Sequence, residues 1–316
     1  MWQSILRENF RDLPTLLDYL EIEDRKSFTD TSFPLNLPRR IAEKIAKNDL
    51  NDPLLKQFLP LSKEKISFPN FISDPVSDCS FQKTPKLLQK YQSRALLVTT
   101  GVCPMHCRYC FRQNYDYEKA DNWDAEIEVL KNDPTTIEII LSGGDPLSLS
   151  DRRLAQLIEK LEEVPHLQIL RFHTRFPIGI PERITKEFIE ILQKSRLQTI
   201  FLVHTNHPKE LDNDVLASLK KMPCPVLTQT VLLKDVNDNF QTLKELFLKL
   251  IAHGIIPYYL HQLDRVQGAA HFEVSPRKGL EIISQLRESL PGYAVPRYVQ
   301  ELAGEKSKTT VNEQLT

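Results

Sequence analysis

The chain has 316 residues, with 41 Lys+Arg against 42 Asp+Glu and a formal net charge of -1. That length builds one large core, and the near-neutral balance argues against broad electrostatic capture of nucleic acid or of an anionic membrane surface. Five cysteines do not make a disulfide framework, no apolar run is long enough to span a bilayer, and the first ten residues lack an apolar export core. A soluble, cytoplasmic protein is expected.

The first glycine is Gly101. Residues 1–90 are punctuated by proline and carry helical stretches such as 40–47, so they read as an N-terminal, mostly helical accessory region that wraps or caps a core. From 91 to 290 the pattern becomes regular. Short apolar runs at 95–99, 137–141, 167–172, 199–203, 226–232 and 255–260 alternate with helical periodicity at 154–161, 184–192, 211–220, 243–252 and 280–290. Near-continuous Val/Ile/Leu strands alternating with helices predict a parallel sheet covered by helices. Six such units with short connections, and no G-x-G-x-x-G after the first strand, favour a partial (β/α)6 TIM-like barrel over a dinucleotide fold. A further strand at 294–299 flanks the barrel, and residues 291–316 form a C-terminal segment.

In such barrels chemistry collects at the C-terminal strand ends. Polar clusters fall there repeatedly: Cys103, Cys107 and Cys110 after the first strand, Ser142-Gly143-Gly144-Asp145 after the second, His173-Thr174-Arg175 after the third. His204 to His207 follow the fourth strand, and His261 to Asp264 the sixth. The C-x₃-C-x₂-C spacing offers three thiolates on a short loop. Three thiolates complete three irons of a [4Fe–4S] cubane and leave the fourth open, the vacancy that S-adenosylmethionine (SAM) needs to chelate iron. The competing reading is structural zinc, as Cys₃His with His106, although a second ligand pair is missing. Tyr109 stands where radical SAM proteins carry an aromatic beside the adenine. Gly143 and Gly144 allow a close backbone approach, with amides able to meet the amino-acid end of SAM, or else form a plain turn capped by Ser150 or Asp151. Cys79 and Cys224 are isolated and read as inert, partly buried thiols.

Residues 103–112 (CPMHCRYCFR), 142–147 (SGGDPL), 181–185 (PERIT), 229–238 (QTVLLKDVND), 257–260 (PYYL) and 292–297 (GYAVPR) resemble, in order, the radical SAM lysine 2,3-aminomutase family. The compact length resembles its elongation factor P β-lysylation branch. The resemblance implies a [4Fe–4S] cluster, SAM and pyridoxal 5′-phosphate (PLP) as cofactors. It also implies L-lysine as substrate, a low-potential electron donor of flavodoxin or ferredoxin type, and a functional link to elongation factor P and its lysine ligase. Residue by residue, Lys308 matches the lysine that carries PLP. Arg94 and Lys90 match the phosphate-binding positions, with lysine at 90 where arginine is usual. Arg112 matches the partner of the substrate carboxylate, Asp264 and Glu301 the acids facing the ε-ammonium, and His204 and Gln229 residues near SAM. Glu301 departs from the aspartate of the clostridial enzymes by one methylene. Three alternatives stay open: a 2,3-aminomutase for arginine or glutamate, a PLP-independent radical SAM maturase, and a non-enzymatic metal-binding module.

Overall fold

The apolar runs become neighbouring strands of one sheet in a computed structural model of the protein, which describes residues 1–118 and 122–312. Four short helices open the chain: α1 (Trp2–Arg7), α2 (Leu13–Tyr19), α3 (Arg39–Lys44) and α4 (Pro53–Phe58). Asp12 and Asp52 cap α2 and α4, each followed by a proline in the first turn, where a missing N–H leaves nothing unpaired. A ribbon follows: β1 (Gln82–Thr84), β2 (Leu87–Tyr91) and β3 (Arg94–Thr100), each antiparallel to the next.

From β3 onward helices and strands alternate. In chain order they are α5 (Asp124–Lys131), β4 (Glu138–Gly143), α6 (Asp151–Glu162), β5 (Ile169–Thr174), α7 (Phe176–Gly179), α8 (Lys186–Lys194) and β6 (Gln198–His204). Then come α9 (Asn213–Lys220), β7 (Val226–Val231), α10 (Phe240–Ile251), β8 (Ile256–His261), α11 (Pro276–Ser289), β9 (Arg297–Gln300) and β10 (Thr309–Thr310). Ser150, Thr185, Asp212, Asn239 and Ser275 begin α6, α8, α9, α10 and α11, each side chain accepting a backbone N–H of the first turn. These caps fix where each connection turns back toward the sheet.

The sheet order is sequential from β1 to β10; β3 to β9 are parallel, and β10 returns antiparallel on β9. Its two edges do not pair, so the barrel stays open. Helix faces close the outside. α10 buries Leu243, Leu246, Phe247 and Leu250, one stripe at helical spacing. Among the described residues no helix is long and apolar enough to cross a membrane.

Three expectations are corrected. The strand expected at 294–299 begins only at Arg297, after Pro296, and continues the sheet as a parallel partner of β8. Residues 1–90 are less helical than their pattern suggests: helices stop after six or seven residues, 3₁₀ turns occupy Ser62–Lys65 and Asp78–Phe81, and β1 and β2 already belong to the sheet. Pro60 closely follows α4, and prolines at 34, 38, 69 and 75 fall in the connections before α3 and after α4, where they disfavour further helix. A boundary at residue 90 would cut the β2–β3 hairpin, and one core cluster runs from Trp2 to Val311. Finally, Cys79 is exposed rather than partly buried, because it rides on the second of those turns; Cys224 is half-buried.

Candidate active site

The loop leaving β3 carries the three cysteines, and its path is set by the glycines that end β4. Gly143 has φ +117°, and a Cβ there would lie 2.5 Å from the Thr100 carbonyl oxygen. A Cβ on Gly144 would meet the Val102 oxygen at 2.3 Å. The pair therefore lets the β4 end press against the start of the cysteine loop. The expectation that the Gly144 amide faces a ligand is corrected: it donates to Thr100 O at 2.7 Å.

Asp145, expected among the cofactor-binding residues, is buried and engaged with the chain. Its carboxylate accepts the N–H groups of Leu147, Arg175 and Phe176 and the Thr174 hydroxyl, at 2.7–3.0 Å. Burial nevertheless pushes its carboxyl up to about 6. Its role in the structure is to lock the β4 and β5 ends together at the rim.

These ends open on a cavity of about 280 Å³ lined by the three cysteines, the Ser142–Asp145 turn and every residue that the resemblance matched to a cofactor or substrate role. Cys103, Cys107 and Cys110 share it with Tyr109, Ser142, His204 and Gln229. It extends down the sheet to Arg94, the first residue of β3, whose guanidinium stacks 4.7 Å from the Tyr91 ring. Burial pushes the Cys103 thiol well up, with Asp145 and then Cys107 adding to it, and the Cys110 thiol up to about 11, with Cys107 adding to it. Cationic iron offsets that cost by binding the thiolate forms. Among the described residues no three His, Cys, Asp or Glu groups converge on a site for one ion. Three thiols lining one cavity fit a multi-iron cluster, which presents a separate iron to each sulfur. His106 does not join them; its Nδ1 faces Pro34 O at 2.7 Å and its ring stacks on Phe33.

A second polar group in the cavity is built around three acids, Asp78, Glu301 and Asp264. Asp78 lies between Lys90 Nζ at 2.7 Å and Arg112 Nε at 2.8 Å, and Arg112 Nη1 reaches Ser142 Oγ at 3.2 Å. Burial favours a protonated Asp78, but the charges of Arg112 and Lys90 hold its carboxyl below the ordinary value. Lys90, expected to face a phosphate, also donates to Val76 O at 2.6 Å, so Asp78 and Val76 engage two of its three N–H donors and a phosphate would take the third. Lys308 Nζ donates to Glu301 Oε2 at 2.6 Å, while the Tyr91 hydroxyl donates to Oε1 at 2.6 Å. Burial opposes ionisation of Glu301, yet Lys308, Tyr91 and Lys90 together hold its carboxyl low. Burial pushes Asp264 up to about 7 against the pull of Lys308. The neighbouring Lys306 is exposed, whereas Lys308 is half-buried in the cavity. An amine among buried acids, with Arg94 and Lys90 on the same walls, fits a PLP site: the amine for the aldehyde, the cations for the phosphate.

Histidines line the cavity at the ends of β5, β6 and β8. Burial lowers all three: His204 to about 3, with Arg175 adding to it, and His173 and His261 well below the usual value, with nearby cations adding to it. Burial thus favours the neutral imidazole at each. His173 Nε2 has no partner among the described residues.

Asp78, Tyr91 and Gln57 were not legible as site residues, because they lie in a segment with no motif and enter the cavity region only by folding. Arg175 stands in a rim cluster visible in the sequence, but its partner Glu210, one residue before the expected helix at 211–220, gave no signal.

The family model described as the Radical SAM superfamily matches residues 97–256. The chain is 39% identical to the L-lysine 2,3-aminomutase of Haemophilus influenzae, over 99% of this chain and 96% of that protein. It is 40% identical to the Escherichia coli L-lysine 2,3-aminomutase over 99% and 95%, and 36% identical to the Clostridium subterminale L-lysine 2,3-aminomutase over 84% and 66%. With its three thiols, its half-buried lysine and its acids gathered in one cavity of an open α/β barrel, this chain belongs to the radical SAM superfamily and, within it, to the lysine 2,3-aminomutase family.

Proposed function

We propose that this chain is a lysine 2,3-aminomutase, an isomerase that moves the α-amino group of L-lysine to C3 and gives β-lysine. The observation that carries the reading is the single cavity that holds the cysteine loop, Lys308 and the Asp264–Glu301 acids together. When bound, the [4Fe–4S] cluster and SAM supply a 5′-deoxyadenosyl radical, and PLP supplies the π-system over which an amino group shifts between adjacent carbons.

The residues divide the work by charge. Cys103, Cys107 and Cys110 ligate iron, and Tyr109, Ser142, Gly143, His204 and Gln229 face SAM. Lys308 carries PLP, with Arg94 and Lys90 toward the phosphate. Arg112, oriented through Nε by Asp78, presents its guanidinium to the substrate carboxylate. Asp264 and Glu301 receive the ε-ammonium, and two acids at that position favour a cationic amino acid over glutamate. Until PLP enters, the Lys308 ammonium stands against Glu301, so the acid is not left as an unpaired buried charge.

The chain spans 96% and 95% of the Haemophilus and Escherichia relatives but 66% of the clostridial one. Likeness to the Haemophilus and Escherichia proteins over nearly their whole length supports placing it in the branch that supplies β-lysine for elongation factor P through a partner ligase, with a flavodoxin or ferredoxin-type donor. Anaerobic incubation with SAM, PLP, a strong reductant and L-lysine is expected to yield β-lysine. Lys308→Ala is expected to lose both the product and the absorbance of bound PLP. Inactivity on lysine alongside turnover of arginine would overturn the substrate assignment.

A further inference from the structure

A buried ion pair stands behind the cysteine loop, and neither the lysine chemistry nor the family motifs account for it. Arg175 follows β5 and is 5% exposed; Glu210 precedes α9 and is fully buried. Arg175 Nη1 donates to Cys107 Sγ at 2.8 Å and also to the Tyr109 hydroxyl. Its Nη2 donates to Gln57 Oε1 at 2.9 Å and to Glu210 Oε1 at 3.0 Å. Gln57, on α4, donates its own amide to Glu210 Oε1 at 3.0 Å. The other Glu210 oxygen accepts the Thr205 hydroxyl at 2.9 Å and the Asn206 N–H at 3.2 Å. Burying two charges carries a desolvation penalty that an apolar pair of the same volume would avoid, so stability is a poor reason for the arrangement. What the pair does accomplish is to aim one guanidinium N–H at one thiol of the cysteine loop.

We infer that the Arg175–Glu210 pair, braced by Gln57, sets the reduction potential of the iron–sulfur cluster through the Cys107 sulfur. An electron entering the cluster increases the negative charge on its thiolate sulfurs. An N–H donor carrying positive charge stabilises that reduced form more than the oxidised one, which raises the potential. Glu210 offsets part of the charge and keeps the potential from rising too far for reductive cleavage of a sulfonium. The N-terminal region, through Gln57, thereby becomes part of the redox machinery. Arg175 and Glu210 act here as positioning residues that work through Cys107. The inference rests on the cluster and is independent of lysine as substrate.

The test is a redox titration of the full-length chain, reconstituted anaerobically with iron and sulfide, without PLP or amino acid, and followed by electron paramagnetic resonance. Arg175→Met is expected to lower the midpoint potential, so that at fixed poise the reduced-to-oxidised ratio falls roughly tenfold, equivalent to about 59 mV for one electron. Glu210→Gln, which keeps the shape and removes the opposing charge, is expected to raise it, and Arg175→Lys to fall less than Arg175→Met. Unmoved potentials, or Arg175→Met and Glu210→Gln shifting in the same direction, overturn the inference. Should Arg175→Met take up no cluster, Glu210→Gln decides: an upward shift supports the inference and any other result overturns it. Potentials that move as stated in a protein inactive on lysine would refute the substrate assignment alone.

Discussion

Asp264 is the residue whose titration reaches furthest into function. Burial raises its carboxyl from 3.8 to about 7. In the empty protein the native state then holds a proton that the unfolded chain releases, so stability falls as pH rises from about 4 through about 7. A cationic ligand pairs only with the ionised form, and lysine binding therefore strengthens as pH rises through that same value. Between about pH 6 and pH 8 the ionised fraction of such a group grows roughly tenfold, so KM for lysine is expected to fall by a similar factor. Asp264→Asn is expected to raise KM and flatten the profile; an unchanged slope in this variant would assign the titration to another group. Glu301 does not share this behaviour, because Lys308, Tyr91 and Lys90 hold it ionised.

At the scale of the element, the helices outside the sheet hold the strand ends in place by burying one stripe each. Phe247 of α10 is fully buried between Leu243, Leu246 and Leu250. Phe247→Ala removes its packing and leaves a cavity, a change expected to destabilise the protein by about 3–5 kcal/mol, readable as a lower denaturant midpoint at unchanged slope. A loss under about 1 kcal/mol would mean that the helix repacks freely. The β4 end works differently. Gly143 and Gly144 contribute no packing of their own, and their value is the space that they leave for Thr100 and Val102 at the root of the cysteine loop. Their identity was visible in the sequence as a glycine motif, but the partner that they make room for was not.

Across the whole molecule, the N-terminal segment is bound to the barrel by charge as well as by core. Arg40 of α3 reaches Glu182 at 2.8 Å, Asp214 at 3.1 Å and Asp212 at 3.2 Å, with Lys44 at 2.7 Å from Asp212. Trp2 of α1 meets Phe176 edge-on at 5.4 Å, with the Arg183 guanidinium 4.8 Å from its ring. Arg40→Ala is expected to reduce stability by about 1 kcal/mol, discounted for the partial exposure of the network. Because the two parts share one core, hydrogen exchange is expected to quicken in α1–α4 and in the barrel strands together. Quickening confined to α1–α4 would show that the segment opens as a separate unit.

The alternation of β-branched runs with amphipathic stretches determined the parallel sheet, since those periods reflect which faces must be buried. The C-x₃-C-x₂-C spacing determined the cluster loop, because ligands within one octapeptide need no folding to be neighbours. Where the N-terminal segment ends, and how Asp78, Gln57 and Glu210 meet residues more than thirty positions away, were decided only by the tertiary structure. Contacts of that kind depend on loop paths and shared burial, and local sequence carries no record of either.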